Sequence, residues 1–294
     1  MSNQDIRVIP AIREMREFVR LAQAGGRKVG LVPTMGALHE GHLSLVKAAA
    51  ESNDCVVASI FVNSIQFCPG EDLKSYPRDL ESDVAMLDEL GVEAVFAPAD
   101  EEMYPDGDIF HYVEPQKIDR NLCGLLRPGH FRGVTTVVTK LFNIVPADEA
   151  FFGRKDAQQA AIIRRLVKDL DIPIRISVCP IVREHDGLAL SSRNRYLSDE
   201  ERAQAISLYR SLEKARENIS RGERNAGRVI AEMRLVFEEF ERVALEYASV
   251  VDSETIEDIE VIEGSALIAV AARVGKARLI DNMVADVRKD TFEL

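Results

Sequence analysis

Cysteine is scarce in this chain of 294 residues, and the four present stand far apart at 55, 68, 123 and 179. They form no CxxC pair and have no histidine at zinc spacing, so a zinc site is not expected and a reducing compartment is. Long apolar runs are also missing. Nothing approaches the roughly 20 uncharged residues of a membrane span, so no membrane association is expected. The opening MSNQDIRVIPAIREMREF carries charges where a secretory signal needs an apolar run, which makes a cytoplasmic location the expectation. Glycine and proline number 17 and 11, too few for a low-complexity chain. A positive excess is lacking: the formal net charge is −12, which opposes nucleic acid as a partner because phosphate backbones call for positive faces.

What is present is a hydrophobic fraction of 46%, enough for a sizeable core, at a length suited to one large or two ordinary domains. Apolar spacing and Gly/Pro punctuation predict strands near 28–33, 56–62, 94–97, 150–152 and 174–178, with a further strand at 109–113 where apolar and polar residues loosely alternate. Helix-length segments at 11–24, 41–52, 78–90, 133–145 and 156–170 separate them, and this alternation predicts βαβ units and a mostly parallel sheet. Beyond about residue 196 the texture changes to two long charged helices, 199–221 and 223–242, and then strands at 245–251, 267–274 and 277–286. The expectation is an α/β chain: a Rossmann-like parallel-sheet domain over 1–183 and a smaller α+β domain over 184–294.

Five segments carry polar chemistry. VPTMGALHEGHLSLVKAA (32–49) reads as strand, turn and helix, the arrangement that binds ligands at the carboxyl end of a parallel strand. A helix N-terminus suits phosphate, Gly36 and Gly41 let backbone come close, and His39 and His42 can face one ligand if the helix starts near Glu40. FGRKDAQQ (152–159) repeats the logic with Gly153, Lys155 and Asp156, where Asp156 serves equally as a helix cap; of Gln158 and Gln159 only one can face a ligand. GLALSSRN (187–194) supplies hydroxyl, guanidinium and amide donors, or a polar surface loop. In FVNSIQF (61–67) Asn63 and Gln66 suit a carboxylate or hydroxyl, or simply a turn. In LRPGHFRGVTTVVTKLF (126–142) Arg127, His130 and Arg132 concentrate positive charge, to pair either an acidic ligand or a structural carboxylate. Neither GxxxxGK[ST] nor GxGxxG occurs.

Together PTMGALHEGH, FVNxxQF, YPR, RPGHFRGVTTVV, FGRKDAQQ, GLALSSRN and ARLIDN resemble the pantoate–β-alanine ligase family in order and spacing, over about residues 5 to 285. The resemblance implies the nucleotidyltransferase superfamily, with HEGH (39–42) as its HIGH-like and LSSRN (190–194) as its KMSKS-like signature. It implies ATP-dependent joining of pantoate to β-alanine through a pantoyl-adenylate, with Mg²⁺ on the phosphates and metal-ligating residues left unassigned. It also implies a homodimer through the first domain.

On the same basis His42 is the proton donor and His39 its phosphate-contacting partner, and Lys155 and Arg193 complete the catalytic set. Met35, Gly36, His39, Gly41, His42, Gly153, Lys155, Asp156, Val182, Leu190, Ser191, Ser192 and Arg193 match ATP-site positions, while Gln66 and Gln159, with Asn63 nearby, match the pair that holds pantoate. Ser64, Cys68 and Arg154 depart from the family pattern, Arg154 standing where glutamate is common. A second domain that joins at the SSRN loop is expected to act as a lid that keeps water from the acyl-adenylate. The competing readings are another nucleotidyltransferase and a silent nucleotide-binding regulator. Locally the charge runs opposite to the total: residues 121–195 hold 12 Lys/Arg against 7 Asp/Glu.

Overall fold

The computed structural model describes residues 6–107 and 109–294; residues 1–5, part of the opening stretch read for a leader, lie outside the described residues, as does residue 108. The chain divides into two compact units. The first comprises Met1–Gln116, Arg127–Gly153 and Ile162–Cys179; the second comprises Lys117–Leu126, Arg154–Ala161 and Pro180–Leu294. A single cut after residue 183 therefore differs from this division, because two earlier segments join the second unit.

In the first unit β1 (Arg7–Ile9), β2 (Val29–Thr34), β3 (Cys55–Ile60), β4 (Ala94–Phe96), β5 (Glu149–Gly153) and β6 (Arg175–Cys179) form one sheet in the order β1-β4-β3-β2-β5-β6. Every pairing is parallel. Along the chain run α1 (Ile12–Ala24), α2 (Glu40–Ser52), α3 (Leu80–Asp88), α4 (Asp100–Met103), α5 (Leu122–Leu126), α6 (His130–Ile144) and α7 (Ala157–Asp169), of which α5 and the first turn of α7 belong to the second unit. The central strands are nearly continuous apolar runs because both faces are covered; Val29, Leu31, Val32, Val57 and Ala58 are fully buried. Leu45, Val46 and Ala49 of α2 and Leu87 of α3 pack with Val32, Ala58 and Val95 of the sheet. From β2 the chain steps to β3 on one side and later to β5 on the other, so the strand order reverses there, and a ligand crevice forms outside the carboxyl ends of strands at such a reversal.

The second unit carries α8 (Asp199–Ala205), α9 (Ser207–Ser220), α10 (Ala226–Phe237) and an antiparallel sheet of β7 (Val243–Asp252), β8 (Ser265–Val274), β9 (Ala277–Asp286) and β10 (Thr291–Glu293), in the order β10-β9-β8-β7. Leu208, Leu212, Ala215 and Ile219 of α9 and Val229 and Met233 of α10 bury one face against Ile268, Val270 and Ala272 of β8. The α/β and α+β classes expected for the two parts are both observed.

Three expectations change. Residues 109–113 form no strand: the N–H of Val113 donates to Thr136 Oγ1 at 3.0 Å and its carbonyl accepts from the Thr135 hydroxyl at 2.5 Å, so side chains of α6 take the place of a neighbouring strand. The segment 199–221 is two helices that break at Ile206, and 223–242 shortens to α10, started by Asn225, whose side chain accepts from Arg228 N. Strands β1 and β10, three residues each, were too short to show a period.

At the amino end of β5, Glu149 is 3% exposed and accepts from Arg175 and the Ser177 hydroxyl of β6. Burial alone would raise its carboxyl; the Arg175 and Ser177 hydrogen bonds outweigh that and hold it below the ordinary value of 4.5. A depressed folded pKa adds stability above the unfolded value that is lost as pH falls through the folded one. Glu149→Gln should therefore lower the unfolding free energy by about 1–3 kcal/mol at pH 7. Denaturant titrations at several pH values should show the gap to the parent chain narrowing below pH 4.5.

Candidate active site

In the first unit, β2 ends at Thr34, whose hydroxyl donates to Ser59 O at 2.7 Å and accepts from Gly36 N at 3.1 Å. The chain then reverses through Gly36 (φ +78°) and Ala37 (φ +51°). Two consecutive N–H groups, of Ala37 and Leu38, donate to the two carboxylate oxygens of Asp83 at 2.9 and 2.8 Å, and Asp83 is only 2% exposed. A Cβ on Gly36 would lie 2.8 Å from Asp83 Oδ2 and 3.1 Å from Ile60 Cγ2, so glycine is required on both conformational and steric grounds.

His39 is the N-cap of α2: its Nδ1 accepts from Gly41 N at 3.1 Å, which places the proton of the neutral ring on Nε2. The N–H of His42 donates to His39 O at 2.8 Å, and the two imidazole rings lie 4.1 Å apart, tilted by 36°. The paired histidines are thus brought together, and α2 starts at Glu40 as their spacing requires. One refinement concerns the helix end. Two of its N–H groups, Gly41 and His42, are engaged inside the turn, so a bound anion would meet the helix dipole and the imidazoles more than these two amides.

Gln66 lies in a short turn after β3. Its Nε2 donates to Met35 Sδ at 3.1 Å, its Oε1 accepts from Asn63 Nδ2 at 3.0 Å, and both partners are residues singled out in the sequence. Asn63 itself is 1% exposed, and its amide is engaged within the protein: Nδ2 also donates to Gly133 O at 3.2 Å, and Oδ1 accepts from Tyr104 Oη at 2.6 Å. Asn63 therefore orients Gln66. Burial pushes the Tyr104 phenol well above its usual range, so it remains a neutral donor to Asn63.

Helix α6 comes close enough to support this turn only because residue 133 is glycine; an added Cβ would sit 2.5 Å from Ile65 O and 2.6 Å from Gln66 Cα. The RPGHFRG segment braces the same turn. His130 Nδ1 donates to Gln66 O at 2.7 Å, its Nε2 accepts from Arg127 Nη1 at 2.8 Å, and Arg127 grips Glu71 bidentately at 2.5 and 2.7 Å. Burial would raise the Glu71 carboxyl, but Arg127 holds it below the ordinary range. Arg127 thus pairs a structural carboxylate, and Arg132 stacks its guanidinium 4.5 Å over the exposed Tyr112 ring. Of the three departures from the family pattern, Ser64 begins the short turn that holds Gln66, and Cys68 gives its N–H to Glu71 at 3.0 Å.

Gly153 closes β5, and an added Cβ there would meet no protein atom within 4 Å. The second unit then carries Lys155 and the exposed Asp156 in a turn of 3₁₀ helix ahead of α7. Asn282 Nδ2 donates to Arg154 O at 3.0 Å and Lys155 O at 2.9 Å, while the Arg154 side chain pairs with Glu293 at 2.7 Å. Of the two glutamines, Gln158 is buried and bonded to Ile118 O, Asn121 O and Gly124 N, which leaves the half-buried Gln159 as the ligand-facing candidate.

Val182 and Leu190 are joined by Leu190 N→Val182 O at 3.0 Å at the base of the hairpin that leads to Ser191, Ser192 and Arg193. Ser191 caps the following turn by accepting from Arg193 N at 3.3 Å; Ser192 is buried and Arg193 half-buried. The hairpin is braced by Arg202, which donates to Glu184 at 2.6 Å and to Asp186 at 2.9 Å, and by Asn194 Nδ2, which donates to Glu184 at 3.0 Å. The Arg202 hydrogen bond holds the Asp186 carboxyl below its ordinary range.

Sequence reasoning assigned no role to Asp83, Tyr104, Gly133, Asp281 or Asn282. Three of these left a trace: Asp83 stands four residues before Leu87 on the buried stripe of α3, and Asp281-Asn282 interrupts the apolar run of β9.

The chain matches the family Pantoate-beta-alanine ligase over residues 7–284. It is 52% identical over 279 residues to the pantothenate synthetase of Thermotoga petrophila, covering 95% of this chain and 99% of that one. The crystal structure of pantothenate synthetase from Thermus thermophilus superposes with a TM-score of 0.90 at 43% identity, over 96% of this chain and 99% of the other. Pantoate-beta-alanine ligase from Francisella tularensis, solved in complex with Beta-gamma ATP and Beta-alanine, aligns with a TM-score of 0.76 at 35% identity, over 94% of this chain and 97% of its own. The chain belongs to the pantoate–β-alanine ligase (pantothenate synthetase) family.

Proposed function

We propose that this ligase condenses (R)-pantoate with β-alanine in two steps at the expense of ATP. A pantoate carboxylate oxygen attacks the α-phosphorus, the bond from that phosphorus to the bridging oxygen breaks, and pyrophosphate leaves. The β-alanine amine then attacks the acyl carbon of pantoyl-adenylate, the carbon–oxygen bond to phosphate breaks, and AMP leaves as the nitrogen gives up a proton. Displacement at phosphorus calls for positioning and charge stabilisation more than for a protein nucleophile. The observation that carries the reading is the His39–His42 pair, with rings 4.1 Å apart at the start of α2 beside the strand-order reversal.

In this reading His39, through Nε2–H, and His42 stabilise charge on the phosphates, and His42 supplies a proton to the departing oxygen. Lys155, Ser191, Ser192 and Arg193 act on the α-phosphate and pyrophosphate; Met35, Gly36, Gly41, Gly153, Asp156, Val182 and Leu190 shape the nucleotide site. Gln66 and Gln159 hold pantoate, with Asn63 as the residue that orients Gln66. Among the described residues no group of three or more His, Cys, Asp or Glu could hold a metal ion. Magnesium enters as part of MgATP, held mainly by phosphate oxygens and water. Four free cysteines, three of them buried, fit a reducing, cytoplasmic setting. The reading includes a homodimer through the first unit, where Phe110 is 81% exposed.

Three outcomes test this reading. AMP release should require both pantoate and β-alanine in excess of hydrolysis; AMP independent of either substrate overturns it. His42→Ala and Lys155→Ala should each lower kcat/KM for adenylation by roughly 10²–10³-fold while keeping the parent's unfolding midpoint; near-parental kcat/KM in either removes that residue's role. Gly133→Ala should destabilise the chain by about 1–3 kcal/mol and, by displacing Gln66, raise KM for pantoate more than KM for ATP. Equal changes in the two KM values would separate Gln66 from pantoate.

A further inference from the structure

Strand β9 carries two adjacent polar residues, Asp281 and Asn282, that are 2% and 3% exposed. Burying two such groups in a strand is costly, so their partners matter; Asn282 spends only its Nδ2 group, its Oδ1 being buried without a partner. Asp281 receives both Nη atoms of Arg183, at 2.7 and 3.0 Å, and the N–H of Asn282 at 2.8 Å. Arg183 Nη1 also donates to Gly187 O at 2.9 Å, and the guanidinium lies 5.0 Å over the Tyr209 ring. Gly187 must be glycine there, since its φ is +100° and a Cβ would approach the Tyr209 ring to 2.4 Å. One neighbour on β9 thus ties down the base of the hairpin that ends in Ser191-Ser192-Arg193.

The other neighbour ties down Lys155. The Asn282 Nδ2 group gives one hydrogen to Arg154 O and the other to Lys155 O, at 3.0 and 2.9 Å. A terminal amide is the one uncharged side-chain group that can donate two hydrogens from a single nitrogen. Two converging carbonyls on consecutive residues therefore select asparagine over the isosteric aspartate. This bond pair fixes the backbone from which the long Lys155 side chain projects, and a flexible four-carbon stem needs a fixed root to place its ammonium. Burial pushes the Asp281 carboxyl up, while Arg183, which hydrogen-bonds it, and Lys155 both favour its charged form.

We propose that Asn282 is a positioning residue for Lys155, and that with Asp281 it makes β9 the common anchor of the two cation-bearing segments of the second unit. The inference rests on the ligase reading, in which Lys155 acts on the phosphates. It also explains why ARLIDN, which lies far along the chain from the other motifs, keeps company with them: its last two residues hold the segments that those motifs occupy. Neither residue needs to touch a substrate.

The test is a double-mutant cycle on the full chain, with adenylation of pantoate followed in single turnovers with MgATP. Asn282→Asp keeps the shape but replaces both donors with a carboxylate facing two carbonyls. It should lower kcat/KM about 10–100-fold in the parent chain and less than about 2-fold in a Lys155→Ala background, because the lysine it positions is already gone. A purely structural role would lower activity by the same factor in both backgrounds, and that result overturns the proposal. So does an Asn282→Asp chain that keeps more than half the parental kcat/KM. If Asn282→Asp does not fold, Asn282→Ala, which removes the donors without adding charge, is run through the same cycle and judged by the same two outcomes. A parent chain that forms no AMP dependent on pantoate and β-alanine overturns the ligase reading instead, and the two failures are thereby distinguished.

Discussion

A single buried carboxylate organises the ligand-facing end of the first unit. Asp83, reaching across from α3, accepts two consecutive backbone N–H groups in the turn between β2 and α2. These donors lie in a left-handed stretch that the chain would not hold on its own, since Gly36 and Ala37 both have positive φ. With the turn fixed, α2 starts at Glu40, the His39 ring caps it, and His42 falls beside His39. The same turn sets Met35, whose sulfur meets the Gln66 amide, so the histidine pair and Gln66 share one support.

Preorganisation recurs throughout. Gln66 is held by Asn63, Asn63 by Tyr104 and Gly133 O, and the backbone of Gln66 by the His130–Arg127–Glu71 chain. In the second unit Arg202, Glu184, Asp186 and Asn194 brace the hairpin that bears Ser191, Ser192 and Arg193. Groups fixed before substrate arrives do not have to reorganise as charge develops, which is where electrostatic stabilisation gains most of its effect. The net charge of −12 says little about such sites: the segment 121–195, with 12 Lys/Arg against 7 Asp/Glu, holds RPGHFRG, GRKD and SSRN. Even there the positive groups divide between roles. Arg127 and Arg183 pair with Glu71 and Asp281, and Lys155 and Arg193 stand in short turns of 3₁₀ helix.

Much of this was legible in the residues. Apolar runs between Gly and Pro breaks located five of the six strands of the parallel sheet, the central ones because a strand buried on both faces is apolar throughout. The spacing of His39 and His42 placed them together because helix geometry is local. Where partners came from elsewhere in the chain the reading failed. Residues 109–113 alternate like a strand, yet the backbone of Val113 bonds to threonine hydroxyls of α6. The sequence could not say which of Gln158 and Gln159 is consumed within the protein, or that the Asn63 amide bonds Gly133 O and Tyr104. Cutting the chain once at 183 could not anticipate that 117–126 and 154–161 pack with the second unit, since long-range packing leaves no local mark.

The sequence by itself determined the class of each half, the position of the strand–turn–helix that carries HEGH, and the donor types available to a triphosphate and a small acid, all of which follow from short-range periodicity and side-chain chemistry. Only the tertiary structure decided which polar residues are consumed by protein partners and which segments those partners hold. Nothing beside Asp83, Gly133, Asp281 and Asn282 in the sequence names their partners; each acts on a segment about 45 or more residues away. A buried hydrogen bond or a missing Cβ has meaning only against the atom it meets, and that atom is supplied by the fold.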